Sequence, residues 1–321
     1  MNYRKLGKTR LKVSEIGLGC WELGGQMIIN GIPLTYGDIS KKTAQSIIES
    51  AVKMGINTFD TADSYSLGNS EKRLGRILKD DRNNVNFFTK AGIIPEHNFP
   101  LPMETDLSYE HLLASLRRSL SRLQTDKIEL FQIHKPPKNK KEEKEIEKLF
   151  KKVKNENLAS FCGISIGLEY EIGKSLINSG LVDTLQLYFS LIDFKPTFEL
   201  LSIAKKNHVG IIVAEPLSQG FLSGKYKLNH KFNKNDIRGI SYSQKRINEK
   251  IKKANQFKCL VNKKRNLSQI AISYILSRDE VSVCIPGCKT KKQLISNVQS
   301  SKIKLTKKEL KHIKEIQNSW D

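Results

Sequence analysis

The chain has 321 residues, 38% of them hydrophobic, and a formal net charge of +22. That length suits a closed α/β barrel, a fold that reaches this size as one unit, so a single domain over residues 1–321 is expected. No apolar run approaches the roughly 18 residues that a membrane span needs, so neither a membrane protein nor a membrane partner is expected.

The opening stretch, MNYRKLGKTRLKVSEIGLG, is charged and strand-like rather than a basic tip followed by an apolar run. No secretory signal is read there, and a cytoplasmic location is expected. Two strand-like pieces, 3–6 and 11–16, flank the turn Gly7-Lys8-Thr9 and predict a β-hairpin. Short apolar runs then alternate with longer amphipathic stretches. Strands are predicted at 16–19, 58–60, 85–90, 128–134, 159–165, 184–188, 210–214 and 281–285. Helices are predicted at about 42–54, 70–79, 108–122, 141–155, 168–179, 196–207, 267–277 and 290–300, with an extra terminal one at 306–318. Ser70 and Ser108 mark helix starts, and Thr306 stands three residues before Glu309 in capping-box spacing. Parallel strands need crossover helices, so this alternation predicts an α/β fold, a (β/α)8 TIM barrel with an N-terminal β-hairpin and a C-terminal extra helix. A doubly wound sheet fits less well, because no Gly-x-Gly-x-x-Gly follows the first strand and no mid-chain linker divides two domains.

A charge of +22 attracts a phosphorylated cofactor, an anionic substrate or nucleic acid. Lysines crowd 138–154 with glutamates interleaved, and basic residues recur over 225–265 and 302–314, a distribution typical of solvated helix faces. There is no basic stripe with interleaved aromatics, so specific nucleic-acid binding is not expected. Weak binding to polyanions at low salt is compatible with the charge. The five cysteines, Cys20, Cys162, Cys259, Cys284 and Cys288, lack the spacing of a zinc site and read as reduced thiols packed as small apolar groups. No metal is expected.

In a barrel, chemistry gathers where the strands end. Asp60, Lys90 and His134 end the second, third and fourth predicted strands, and Tyr65 lies just past Asp60. Singly, each has an ordinary reading: a capping carboxylate, a packed tyrosine, a rim charge, a core histidine. Together they face one mouth and suit carbonyl reduction, in which a nicotinamide supplies hydride and the protein supplies a proton. On this reading Tyr65 is the donor, and Lys90 lowers its pKa from the usual value of about 10. Asp60 holds Lys90, and His134 hydrogen-bonds the substrate oxygen.

The segments Gly55-Ile56-Asn57-Thr58-Phe59-Asp60-Thr61-Ala62-Asp63-Ser64-Tyr65, Phe88-Thr89-Lys90 and Leu130-Phe131-Gln132-Ile133-His134 resemble the signature blocks of the aldo-keto reductases. The likeness runs from Tyr3-Arg4-Lys5-Leu6-Gly7-Lys8-Thr9 to Asn297. It implies a catalytic set of Asp60, Tyr65, Lys90 and His134, and NAD(P)H bound across the barrel mouth without a glycine fingerprint. It also implies cofactor contacts from Cys20, Trp21, Gln26, Asp60, Ser165 and Gln186. Pro216, Leu217, Gln219, Gly220 and Lys225 match the loop around the pyrophosphate, with Arg238 as a further phosphate contact. Gly287, Lys289, Gln293 and Asn297 match the adenosine end. Departures are Ile166 where an Asn is common, Ala214 where many members stack an aromatic ring, Ser296 for a frequent Glu, and Gln293 where some members carry Arg. NADPH/NADP+ is the expected cofactor, on the positive charge of Lys289, Lys291 and Lys292, with NADH/NAD+ left open.

Trp21, Tyr65 and His134 are expected at the substrate pocket, walled by the loops 22–40, including Met27-Ile28-Ile29-Asn30, and 92–107. The implied substrate is a small carbonyl or alcohol, with anionic and sugar-like compounds in play, acted on by a monomer or a homo-oligomer. A second reading is a cofactor-binding, redox-sensing subunit resembling the potassium-channel β subunits; those usually carry Asn where His134 stands.

Overall fold

The computed structural model describes residues 1–94, 104–194 and 197–320. Eight parallel strands form one sheet in chain order: β1 (Leu18–Gly19), β2 (Thr58–Asp60), β3 (Asn86–Ala91), β4 (Ile128–Ile133), β5 (Ala159–Gly167), β6 (Thr184–Tyr188), β7 (Gly210–Ala214) and β8 (Val281–Cys284). The bridges Ile16↔Cys284 and Gly19↔Gly287 join the last strand region to the first and close the barrel. Each strand lies on a predicted one. They read as short, mostly apolar runs because both faces are covered, the inner by barrel filling and the outer by helices.

Two apolar layers result. Phe88, Leu130, Ile212, Val283 and Ile285 fill the barrel, and Leu6 and Val13 of the N-terminal hairpin pack against them from below. The hairpin pairs Tyr3–Lys5 with Lys12–Ser14, Tyr3 opposite Ser14, and its turn Gly7–Thr9 is a 3-10 turn. It is bonded to the closed end of the barrel: Lys8 N donates to His208 O at 2.8 Å, and the Arg4 guanidinium donates to the carbonyls of Leu276, Arg278 and Val281. Gly7 has φ +54°, and a Cβ there would stand 2.3 Å from Gly210 N, so only glycine lets the turn lie this close.

The outer layer is α1 (Lys41–Lys53), α2 (Asn69–Ile77), α3 (Tyr109–Leu123), α4 (Lys140–Asn155), α5 (Tyr170–Asn178), α6 (Thr197–Lys206), α7 (Leu267–Leu276), α8 (Lys291–Gln299) and the terminal α9 (Lys307–Asn318). In α3, Leu112, Leu116, Leu120 and Leu123 recur at helical spacing and are all buried. Each such side chain contributes about 1.5–3 kcal/mol of burial. The lysine-rich stretch is α4, whose exposed face carries Lys–Glu pairs such as Lys151–Glu147 and Lys152–Glu156.

Ser108 caps α3 by accepting from His111 N, and Thr306 and Glu309 form the reciprocal box that opens α9. Ser70 does not cap α2. That helix begins at Asn69 after Gly68, and Ser70 is buried, donating to Cys20 O at 2.8 Å and accepting from the Thr61 hydroxyl. Position 196, the expected start of the sixth helix, lies outside the described residues. An unexpected helix, Gln244–Gln256, is inserted between β7 and α7 and capped by Ser243. Its apolar stripe is only Ile247, Ile251 and Ala254, too thin to stand out among its lysines. Cys20, Cys162, Cys284 and Cys288 are buried and Cys259 is exposed; all five are free. Among the described residues no helix is long and apolar enough to cross a membrane.

Candidate active site

At the carboxyl end of the strands opens a cavity of about 1040 Å³. Its floor is a buried polar network. Lys90, fully buried on β3, donates from Nζ to Asp60 Oδ1 at 2.5 Å and to Thr61 O at 2.7 Å, and lies 3.4 Å from Tyr65 Oη. The other Asp60 oxygen accepts from Gln186 Nε2 at 2.7 Å and Gln132 Nε2 at 3.3 Å. A buried ammonium without such partners would cost several kcal/mol, so the network is what permits a lysine at the barrel centre. Behind it Thr89 donates to the buried Glu71 carboxylate, which Arg122 also holds at 2.6 Å.

Tyr65 packs edge-on to His134 with ring centroids 5.6 Å apart, and 6.4 Å from Trp21. Burial pushes the Tyr65 phenol well above its ordinary range, and the charge of Asp60, then of Glu22, adds to the rise. This corrects the expectation that Lys90 makes the phenol more acidic. The ammonium is bound first to Asp60, so the phenol faces an ion pair rather than a bare cation, and burial disfavours the phenolate. In this state the phenol holds its proton through the neutral range. Burial, followed by the charges of Lys90 and Lys135, holds His134 well below the usual histidine range, so its imidazole is neutral. Its Nδ1 is 3.3 Å from Ser64 Oγ. A hydroxyl donating there leaves the ring proton on Nε2, the form that can donate to a bound oxygen.

Cys20, Trp21, Asp60, Tyr65, His134, Ser165 and Gln186 all line this cavity, as do Pro216, Leu217, Gln219, Gly220, Lys225, Arg238, Gly287, Lys289, Gln293 and Asn297. Gln26 does not; its backbone N–H is turned to Asp38 Oδ1 at 3.1 Å. Some of these side chains are engaged within the protein. Gln186 holds Asp60, and Arg238 clasps Asp236 and donates to Gln219 O at 2.6 Å while lying over the Tyr36 and Phe232 rings. Lys289 Nζ donates to Tyr36 O at 2.6 Å, and Gln293 accepts from Lys289 N. Ile166 is buried toward α5, its Cδ1 2.6 Å from where a Cβ on Gly173 would stand, and is not on the cavity wall. Met27, Leu34, Tyr36 and Ile93 form the apolar wall, whereas Ile28 is 57% exposed. Positions 95–103 of the expected 92–107 wall lie outside the described residues.

The sequence reading missed Glu22, Ser64, Gln132, Lys135 and Glu215. Ser64 and Gln132 sit inside recognisable blocks, and Lys135 and Glu215 adjoin residues already singled out, so adjacency was the one signal available. Glu22, buried, and Glu215, half-buried, are carboxyls on the cavity wall, both raised by desolvation, Glu215 to about 7. The cavity suits a dinucleotide in its donor chemistry. Lys225, Arg238, Arg246, Lys289 and Lys292 supply positive charge along its wall, with Tyr36, Tyr226 and Tyr242 lying under three of them, and Gly287 presents bare backbone where a Cβ would stand 2.6 Å from a Glu22 oxygen.

The model of the Aldo/keto reductase family matches residues 15–318. The chain belongs to this family. It is an NAD(P)H-dependent oxidoreductase that interconverts carbonyls and alcohols, the chemistry of aldo-keto reductases. It is 27% identical to the L-glyceraldehyde 3-phosphate reductase of Escherichia coli, over 98% of this chain and 91% of that one. It is 26% identical to the NADH-specific methylglyoxal reductase of the same organism, over 94% of each. Among solved structures, the aldo-keto reductase AKR11C1 from Bacillus halodurans, in its holo form, superposes with a TM-score of 0.80 at 25% identity, covering 98% of this chain and 96% of that one. This reductase shares with it the closed barrel described above.

Proposed function

We propose that Tyr65 delivers the proton in carbonyl reduction, with Asp60, Lys90 and His134 as its partners, and that NADPH is the preferred cofactor. The reading rests on one observation above the rest: Tyr65 Oη lies 3.4 Å from Lys90 Nζ, itself 2.5 Å from Asp60, at the floor of the cavity that His134 also lines. The nicotinamide, when bound, supplies the hydride. Tyr65 Oη gives its proton to the carbonyl oxygen as negative charge gathers there, with the Lys90 ammonium, 3.4 Å away, positioning it. Asp60 keeps that ammonium aimed. The neutral His134 donates a hydrogen bond that orients the carbonyl. Trp21, Met27 and Tyr36 exclude water and give a small carbonyl substrate an apolar wall.

For the cofactor, Ser165 and Gln186 are the proposed partners of the carboxamide, and the 216–225 loop that of the pyrophosphate. Lys289 and Lys292 line the adenosine end and supply the charge that a 2′-phosphate would meet, whereas Lys291 is off the cavity wall. The NADH-specific relative shows that family membership alone does not select NADPH.

The test is steady-state oxidation of NADPH and NADH with a panel of small aldehydes, beside cofactor binding followed by Trp fluorescence. Tyr65→Phe is expected to lower turnover by roughly 10²–10⁴-fold, the usual worth of general acid catalysis, with cofactor affinity nearly unchanged. A variant keeping more than about a tenth of wild-type turnover contradicts the role. The cofactor reading expects kcat/KM to favour NADPH and Lys292→Ala to narrow that preference; equal use of NADH overturns it.

A further inference from the structure

Lys135 immediately follows His134 beyond the end of β4, is half-buried, and lines the same cavity. Three other cations near that cavity are closed off by a partner, Lys90 by Asp60, Arg238 by Asp236 and Lys289 by the Tyr36 carbonyl. Lys292, without a partner among the described residues, belongs to the stretch proposed for the adenosine end of the cofactor rather than to the chain beside His134. Among the described residues the Lys135 ammonium has no hydrogen-bond, ion-pair or ring partner. Its charge reaches across the mouth all the same, lowering the pKa of His134 on its own side and of Glu215 beyond β7. Glu215 is a poor counter-ion, since its carboxyl is bonded by Gln219 at 3.0 Å and titrates near 7.

A half-buried ammonium without a partner has lost part of its hydration and recovers it from an anion that enters the cavity. Trp21, Met27, Ile93 and Tyr188 on the same wall carry no charge, and the carboxyls besides Asp60 that act on Tyr65 from that wall, Glu22 and Glu215, are both raised, so Lys135 is the cation next to His134 that is left to meet an anion. We propose that Lys135 binds an anionic group on the substrate, so that the enzyme selects aldehydes or ketones bearing a carboxylate or phosphate a few bonds from the carbonyl. The selection rests on the catalytic role proposed for Tyr65 and His134, which hold the carbonyl, because Lys135 is the next residue along the chain. A lysine acts as a point charge, without the fork geometry by which arginine matches planar anions, so either anion satisfies it.

The experiment measures kcat/KM at saturating NADPH for matched pairs: succinic semialdehyde against butanal, and glyceraldehyde 3-phosphate against glyceraldehyde. The expected anionic-to-neutral ratio is about tenfold or more, falling roughly tenfold in Lys135→Gln and kept in Lys135→Arg, as a single charge contact commonly worth about a factor of ten requires. A ratio near one in the wild-type enzyme, or a parallel loss for both members of a pair in Lys135→Gln, overturns the proposal. If no aldehyde of either kind is turned over, the catalytic reading has failed instead. The charge contact is then judged by succinate binding to the cofactor-loaded protein through Trp fluorescence, where equal affinity in wild type and Lys135→Gln overturns it.

Discussion

Asp60 accepts from Lys90, Gln132 and Gln186, three strands contributing one donor each to a single carboxylate. The consequence is that its charge matters to the fold as well as to the chemistry. Asp60→Asn leaves a fully buried ammonium without its counter-ion and is expected to destabilise the protein by about 3–5 kcal/mol, the usual result of removing one partner of a buried pair. Denaturant unfolding measures this, and a loss under about 1 kcal/mol would show that the ion pair is not what holds Lys90 in place. Ser64 works at one remove, through the tautomer of His134. Ser64→Ala is expected to lower kcat several-fold without changing the affinity for cofactor, and Ser64→Thr, which restores the hydroxyl, to recover most of the loss; unchanged kcat in Ser64→Ala would remove Ser64 from the site. That Asp60, Tyr65, Lys90 and His134 would meet was legible before any fold was known, because polar side chains that end successive strands of a barrel are brought to one mouth. The direction of the Tyr65 shift was not, since it depends on how deeply the phenol is buried and on which carboxylate claims Lys90 first.

At the scale of elements, the hairpin and the cavity occupy opposite ends of one barrel. Leu6 and Val13 plug the closed end, and the loops that line the cavity build the open one. Leu6→Ala is therefore expected to cost about 2–5 kcal/mol in unfolding free energy, as for other buried leucines, while leaving cofactor affinity unchanged. Urea melts beside fluorescence titrations check both halves, and a matching loss of affinity would show that floor and mouth are coupled. The barrel strands were readable because burial on both faces leaves short, mostly apolar runs. The helix Gln244–Gln256 was not, because three apolar contacts in a lysine-rich stretch leave almost no periodic signal. Ser70 misled for a different reason: a serine near a helix start is an ordinary cap, but here the barrel buries it against Cys20 and Thr61.

Across the molecule, two half-buried carboxyls set a pH dependence. Asp63 and Glu215 are both raised to about 7, burial being the main cause in each, from unfolded values of 3.8 and 4.5. Folding takes up protons at these sites, so their contribution is most favourable below about 4 and is lost as pH rises through 7. The melting temperature is expected to decline between pH 5 and 8 more steeply in the wild type than in Asp63→Asn or Glu215→Gln; parallel slopes in all three proteins would show that neither group is raised.

Periodicity and spacing in this chain determined which stretches become strands and which polar residues end them, because a pattern of burial is written locally, every second or every fourth residue. The sharing of Asp60 among three strands, the neutral His134 and a Lys135 without a partner among the described residues were decided only by tertiary structure. Each depends on distances between residues far apart in the chain and on the water excluded between them, and neither quantity has a local signature.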